Sequence, residues 1–164
     1  MTDLAVSLSP EREADAPAIQ GLEERAFGPG RYARTAFRLR ENNPHDRNLS
    51  FVARVGTLLV GSVRLTAIHI AQYPALMLGP LTVDPAFRSK GIGRMLIEDA
   101  LDAATEQGHR LVLLVGDQAY YGRLGFRPVP PGQITMPGPV DPSRLLLREL
   151  QLDALRDIAG RVSL

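Results

Sequence analysis

Ala75–Ala104 reads ALMLGPLTVDPAFRSKGIGRMLIEDALDAA, and its three parts decide the fold. Leu76 to Val83 is short, apolar and rich in branched side chains, the pattern of a buried strand. Asp84-Pro85 ends it, because proline cannot donate to a ladder. From Ile92, apolar residues fall at 92, 95, 96, 100, 103 and 104, one face of an α-helix. Arg94, Glu98, Asp102 and Glu106 line the opposite face at four-residue steps, and Gly108 is a natural stop. The unit is therefore strand, glycine-containing loop, helix. Free N–H groups and the dipole at a helix start attract anions. Gly91 and Gly93 let a ligand approach the backbone, and Arg88, Lys90 and Arg94 surround it with positive charge. A phosphate or pyrophosphate is the ligand this suggests. A Walker loop does not fit, and a dinucleotide G-x-G-x-x-G fails because Leu96 stands at the third glycine position.

Composition narrows the class of protein. A chain of 164 residues is near the common size of one domain. With 45% hydrophobic and 23% charged residues it reads as an ordinary soluble, cytoplasmic protein. A formal net charge of +1 gives no general case for nucleic-acid or membrane-surface partners. No apolar run approaches membrane-spanning length, and the N-terminus lacks a basic-then-apolar signal pattern. The chain has no cysteine, which excludes disulfides, thiolate metal sites and a cysteine acyl-enzyme. Three scattered histidines offer no metal-ligand spacing, so no metal is expected.

Outward from the central unit, Leu4 to Ser9 reads as a first strand closed by Pro10. Asp15 is placed to cap a helix with Pro17 in its early turn and Ile19, Leu22 and Ala26 as its apolar stripe. Gly28-Pro29-Gly30 breaks it, and a second helix is expected from about residue 33 to 40. Arg31, Arg34, Arg38 and Arg40 make that segment basic. They fit either an anionic acceptor or a solvated helix face. Residues 49–55 and 58–70 read as a hairpin turning at Gly56-Thr57. In its second strand Val63, Leu65 and Ala67 alternate with Ser62, Arg64 and Thr66, as expected with one buried face. After Gly108 come a strand over 111–115, a short helix capped by Asp117, and a strand over 126–129. A proline-rich loop, a late strand over 145–150 and a short terminal helix over 153–159 follow. This order implies a mixed sheet with helices on its faces, an α/β or α+β fold, in one domain over 1–164 with its core at about 4–130.

Tyr120-Tyr121-Gly122-Arg123-Leu124-Gly125-Phe126 is a second motif, one helix and one strand beyond the first. Together with Arg88-Ser89-Lys90-Gly91-Ile92-Gly93, it resembles the paired motifs of the GCN5-related N-acetyltransferases (GNAT), and their wording is similar to the YhbS-like bacterial branch. The resemblance covers the chain up to about Phe126. It implies a mostly antiparallel mixed sheet with a splayed strand pair that holds CoA. It also implies direct acetyl transfer from acetyl-CoA to a primary amine, on a small molecule or a peptide.

Residue by residue, the resemblance implies that the backbone of Leu81, Thr82 and Val83 pairs with the pantetheine arm, beside a bulge at Gly79-Pro80. Arg88, Ser89, Lys90, Gly91, Ile92, Gly93 and Arg94 would surround the pyrophosphate. Tyr121 would stand by the thioester sulfur and protonate, or hydrogen-bond to, the departing thiolate, aimed by the helix that Asp117 caps. Backbone N–H groups near Leu81 or Val83 would polarise the carbonyl. Many relatives carry a basic carboxylate on the strand that here reads Met77-Leu78-Gly79-Pro80. Without one, a water chain, His69, or the loop at His45 and Asp46 stays open as the base. A non-catalytic CoA-binding sensor or assembly module is the alternative from another class. A homodimer is common among relatives.

Overall fold

The computed structural model describes residues 5–27 and 44–164. The helix expected over about 33–40, with Arg31, Arg34, Arg38 and Arg40, lies outside them. Strand β1 is Val6–Pro10 and helix α1 is Ala16–Phe27. Three strands follow: β2 (Phe51–Val55), β3 (Leu58–Ile70) and β4 (Tyr73–Val83). Helix α2 spans Ile92–Glu106, β5 spans Leu111–Val115, and the one-turn helix α3 spans Gln118–Tyr121. Four short strands complete the chain: β6 (Arg127–Pro128), β7 (Ile134–Thr135), β8 (Leu145–Glu149) and β9 (Gly160–Ser163). The sheet runs β1-β2-β3-β4-β5-β8-β6, with β9 joining the end of β3 to β7. Neighbours are antiparallel except β4 with β5 and β7 with β9. This is the mixed, mostly antiparallel sheet flanked by helices that the sequence implies.

Both faces of the sheet are covered, which is why β4 and β5 are apolar at consecutive positions. Leu76, Leu78, Val112 and Leu114 pack toward α2, where Ile92, Leu96, Ile97, Ala100, Leu101 and Ala104 meet them. Met77, Leu111 and Leu113 point the other way, into a cluster with Ile68, Ile70, Leu155, Ile158 and Val162. On that second face α1 sets Ile19 and Leu22 against Val52 and Leu59.

Three expectations are corrected. The alternation in β3 does not leave a wet face: Ser62 and Thr66 are 1% and 0% exposed. Beside Ser62, α1 packs on its cross-strand partner Val52, and the docking of that helix is not readable locally. The terminal helix is absent; residues 151–157 form turns, and the chain continues as β9. Asp153 has φ +57, which a right-handed helix cannot continue through. Gln133 instead binds the carbonyls of Leu155 and Ile158 with its side-chain amide, at 3.1 and 2.9 Å. Asp15 does not cap α1. It is buried in the preceding 3-10 turn, accepts from the Arg12 N–H at 2.9 Å and pairs with Arg54.

The decisive packing is α2 on the sheet. Leu96 is fully buried there, and its Cδ1 lies 2.9 Å from where a Cβ on Gly61 would stand. Leu96→Ala should lower unfolding stability by about 3 kcal/mol, as a large-to-small change in a tight core does, read by urea denaturation.

Candidate functional site

Strand β4 keeps β3 beside it from Tyr73 to Val83, but it pairs with β5 only at Leu76–Val112 and Met77–Leu113. Beyond Met77, β4 and β5 part. On the β3 side the register steps from Leu65–Leu78 to Val63–Leu81, so Arg64 alone faces Gly79 and Pro80. Two residues against one is a β-bulge, and it falls at the Gly79-Pro80 position expected from sequence. The Asp84 N–H donates to the Val60 carbonyl at 2.8 Å, toward β3. Backbone direction alternates along a strand, so the Leu81 and Val83 N–H and C=O groups point into the gap left by β5. There they offer an extended ligand a free sheet edge.

The loop after β4 prepares the other end of the cleft. Asp84 Oδ1 accepts from the Ala86 N–H at 2.9 Å and fixes a 3-10 turn over Pro85–Phe87. Ser89 and Gly91 then take the left-handed conformation, at φ +66 and +78. Turns of this kind gather backbone N–H groups into an anion-binding concavity, here at the start of a 15-residue helix. Gly91 is needed for its φ. Gly93 is needed for space, since a Cβ there would lie 2.6 Å from the Tyr120 hydroxyl oxygen.

These parts enclose a cleft of about 390 Å³. Of the residues expected from sequence, it brings together Leu81, Thr82, Val83, Arg88, Ser89, Gly91, Ile92, Gly93 and Arg94. Lys90 is exposed outside the lining, and Tyr121 stands behind it. The wall also takes Ala26, Phe27, Phe87 and Tyr120, which sequence reasoning did not single out. Ala26 and Phe27 end α1, and only the tertiary fold brings them across the sheet. Tyr120 had a readable cue in its place beside Tyr121, but which ring of the pair faces the cleft depends on the helix phase.

Asp117 caps α3 as expected, accepting from the Ala119 N–H at 3.0 Å. The helix orients two phenols differently. Tyr120 is 43% exposed, with its hydroxyl at Gly93. Tyr121 meets Tyr120 and Phe126 edge-on, at ring centroids 4.9 and 6.0 Å apart, and packs on the main core. Burial pushes the Tyr121 hydroxyl up to about 12, helped by Tyr120 and opposed by Arg144, so it carries its proton through the neutral range. His69 is exposed and pairs with Pro74 and Ser163, at the end of β3 away from the bulge. His45 is half-buried against Glu11. Among the described residues, no three His, Asp or Glu side chains are arranged to hold a metal, and no helix is long and apolar enough to cross a membrane.

The loop predicts its own cost of substitution. Gly91→Ala should destabilise the fold by about 1 kcal/mol through its left-handed φ. Gly93→Ala should displace Tyr120, seen as a change in tyrosine fluorescence or in the Tyr120 ring resonances.

Residues 16–126 match the family model described as Acetyltransferase (GNAT) family. A curated relative from Escherichia coli K12, named as the uncharacterized N-acetyltransferase YhbS, is 29% identical over 150 residues, covering 90% of this chain and 89% of its own. A second from the same organism, the uncharacterized N-acetyltransferase YjhQ, is 31% identical over 71% of this chain and 66% of its own. The crystal structure of Escherichia coli YhbS in complex with CoA superposes with a TM-score of 0.84 at 27% identity, covering 99% of this chain and 91% of that one. A Brucella melitensis GNAT acetyltransferase in complex with acetyl-CoA gives a TM-score of 0.72 at 25% identity, covering 98% and 96%. The chain belongs to the GNAT family.

Proposed function

From this membership and from the cleft at the head of α2, we propose that the protein is an N-acetyltransferase that moves an acetyl group directly from acetyl-CoA to a primary amine. The observation that carries the reading is the parting of β4 from β5 beside an anion-binding helix start. An acyl-CoA is a long extended arm ending in a pyrophosphate, and the cleft offers a free strand edge and a phosphate cradle in that order. The CoA and acetyl-CoA complexes of the two structural relatives support it.

In this reading the edge groups of Leu81 and Val83 hold the pantetheine amides. The loop from Arg88 to Arg94 holds the pyrophosphate with backbone N–H groups and with the guanidinium groups of Arg88 and Arg94. Arg94 Nε is also 2.9 Å from Glu98, an exposed pair that competes only weakly with a doubly charged ligand. An N–H at the bulge polarises the thioester carbonyl. The amine nitrogen attacks the acetyl carbon, the C–S bond breaks, and the thiolate takes a proton. Tyr121 is the proposed hydrogen-bond donor to that sulfur, since its raised hydroxyl keeps its proton through the neutral range. Tyr120 serves the cofactor wall. The protein works in the cytoplasm, as one domain, on a small-molecule or peptide amine.

Calorimetry with acetyl-CoA tests the cofactor. The parent should bind, Arg88→Ala and Gly91→Glu should weaken binding at least tenfold, and Tyr121→Phe should bind as the parent does. In a thiol-release assay Tyr121→Phe should lower kcat by roughly 10²-fold, the usual contribution of a positioned acid, while Tyr120→Phe acts on KM for acetyl-CoA. Binding without turnover of any amine would favour a CoA-binding sensor. No binding of CoA or acetyl-CoA at millimolar concentration would contradict the proposal.

A further inference from the structure

The second face of the sheet, under α1, buries polar groups that the reading above does not use. Glu11 has a side chain 1% exposed. Its Oε1 accepts from Arg64 Nε at 2.9 Å, and its Oε2 lies 2.5 Å from His45 Nε2. Glu23, on α1, sets Oε1 3.6 Å from Arg64 Nη1. Burial would raise the Glu11 carboxyl, but the hydrogen bonds from His45 and Arg64 and the guanidinium charge outweigh it and hold the group below the usual carboxylate range. Glu11 is therefore a fixed anion. An anion at Nε2 keeps the hydrogen on that nitrogen, so a neutral His45 has its lone pair on Nδ1.

This group lies beside the expected reaction centre. Arg64 is the residue that faces the Gly79-Pro80 bulge. The Asp46 N–H donates to the Leu65 carbonyl at 2.8 Å, and Leu65 pairs with Leu78, so the loop carrying His45 is anchored at the level where β4 leaves β5. Glu23 is one helical turn before Ala26 and Phe27 in the cleft wall.

A second, independent observation joins the two places. Ser62 and Thr82 are directly opposite on β3 and β4, and Thr82 lines the cleft. Cross-strand partners share a face, and Ser62 and Thr66 share the Arg64 face of β3. All three residues are at most 1% exposed, and their hydroxyls have no hydrogen-bond partner among the described residues. A buried hydroxyl without a partner is costly, and a polar occupant of this strip would relieve that cost.

We propose that the Glu11–His45 pair is the proton acceptor for the incoming amine, reached from the cleft along the Thr82 and Ser62 hydroxyls and water between them. The inference rests on the N-acetyltransferase reading. The acceptor ammonium loses one proton to Nδ1 of His45, which passes it to solvent. The freed lone pair forms the C–N bond, and the C–S pair leaves on sulfur. The second proton shed by nitrogen balances the one the thiolate gains. Glu11 acts as a positioning residue. Arg64 fixes Glu11 and also faces Glu23.

The test uses the full chain, acetyl-CoA, and a panel of primary alkylamines and dipeptides, with thiol release followed from pH 6 to 9. His45→Gln should cut kcat roughly 10²-fold or more, abolish the acid limb of the profile, and bind acetyl-CoA within about twofold of the parent. Ser62→Ala should slow turnover while leaving unfolding stability equal or higher, because it removes an unpartnered hydroxyl. Unchanged rate and profile in His45→Gln would overturn the proposal while leaving acetyl-CoA binding, and the reaction class, intact. If the parent binds acetyl-CoA but acetylates none of the panel, ¹⁵N NMR of His45 at pH 7.5 decides. A neutral ring with hydrogen on Nε2 supports the role, and an imidazolium or the other tautomer overturns it.

Discussion

Strand β4 has one full partner and one partial partner. It pairs with β3 over its whole length and with β5 for two residues. A buried strand cannot leave its backbone polar groups unpaired without loss, so a free edge inside a packed sheet calls for something to occupy it. The rest of the structure arranges itself around that gap. The bulge at Gly79-Pro80 bends β4 away. Helix α2 then starts where the departing strand ends, and α3 closes the far side with two tyrosines packed edge to face. An extended acyl-CoA arm is the occupant that this geometry and the GNAT family both suit.

The two faces of the sheet divide the chemistry. The α2 face is apolar and holds the strand edge and the phosphate loop in place. The α1 face carries an ionic group and unpartnered hydroxyls within a turn of the cleft wall. Glu11 lies buried between Arg64 and His45, and desolvation offsets much of the attraction in such a group. Strand β4 is apolar toward α2, while Thr82 stands by the gap on the other face, opposite Ser62 of β3.

Much of this was legible locally. The strand, loop and helix over 75–104 follow from period and punctuation, because α2 shows its buried stripe in one run of residues. Gly91 and Asp117 announce a turn and a cap by residue type alone. The failures share a cause. Ser62 looks solvated because α1, which packs beside it on Val52, lies far away in sequence. The segment over 153–159 has a helical composition but must cover Ile68 and Val162, and the left-handed Asp153 turns it accordingly. Glu11 and His45 are 34 residues apart and show no motif. Tyr120 stands in the second motif, but its approach to Gly93 depends on the docking of α3 against α2.

Amide hydrogen exchange along β4, with and without saturating acetyl-CoA, addresses the central claim most directly. Leu81 and Val83 should slow markedly when acetyl-CoA is added, as their groups gain a partner in the gap. Thr82, whose backbone already faces β3, should hardly change. Leu81 and Val83 exchanging at the same rate in both states would contradict the account, because the free edge would then not be where the arm is bound.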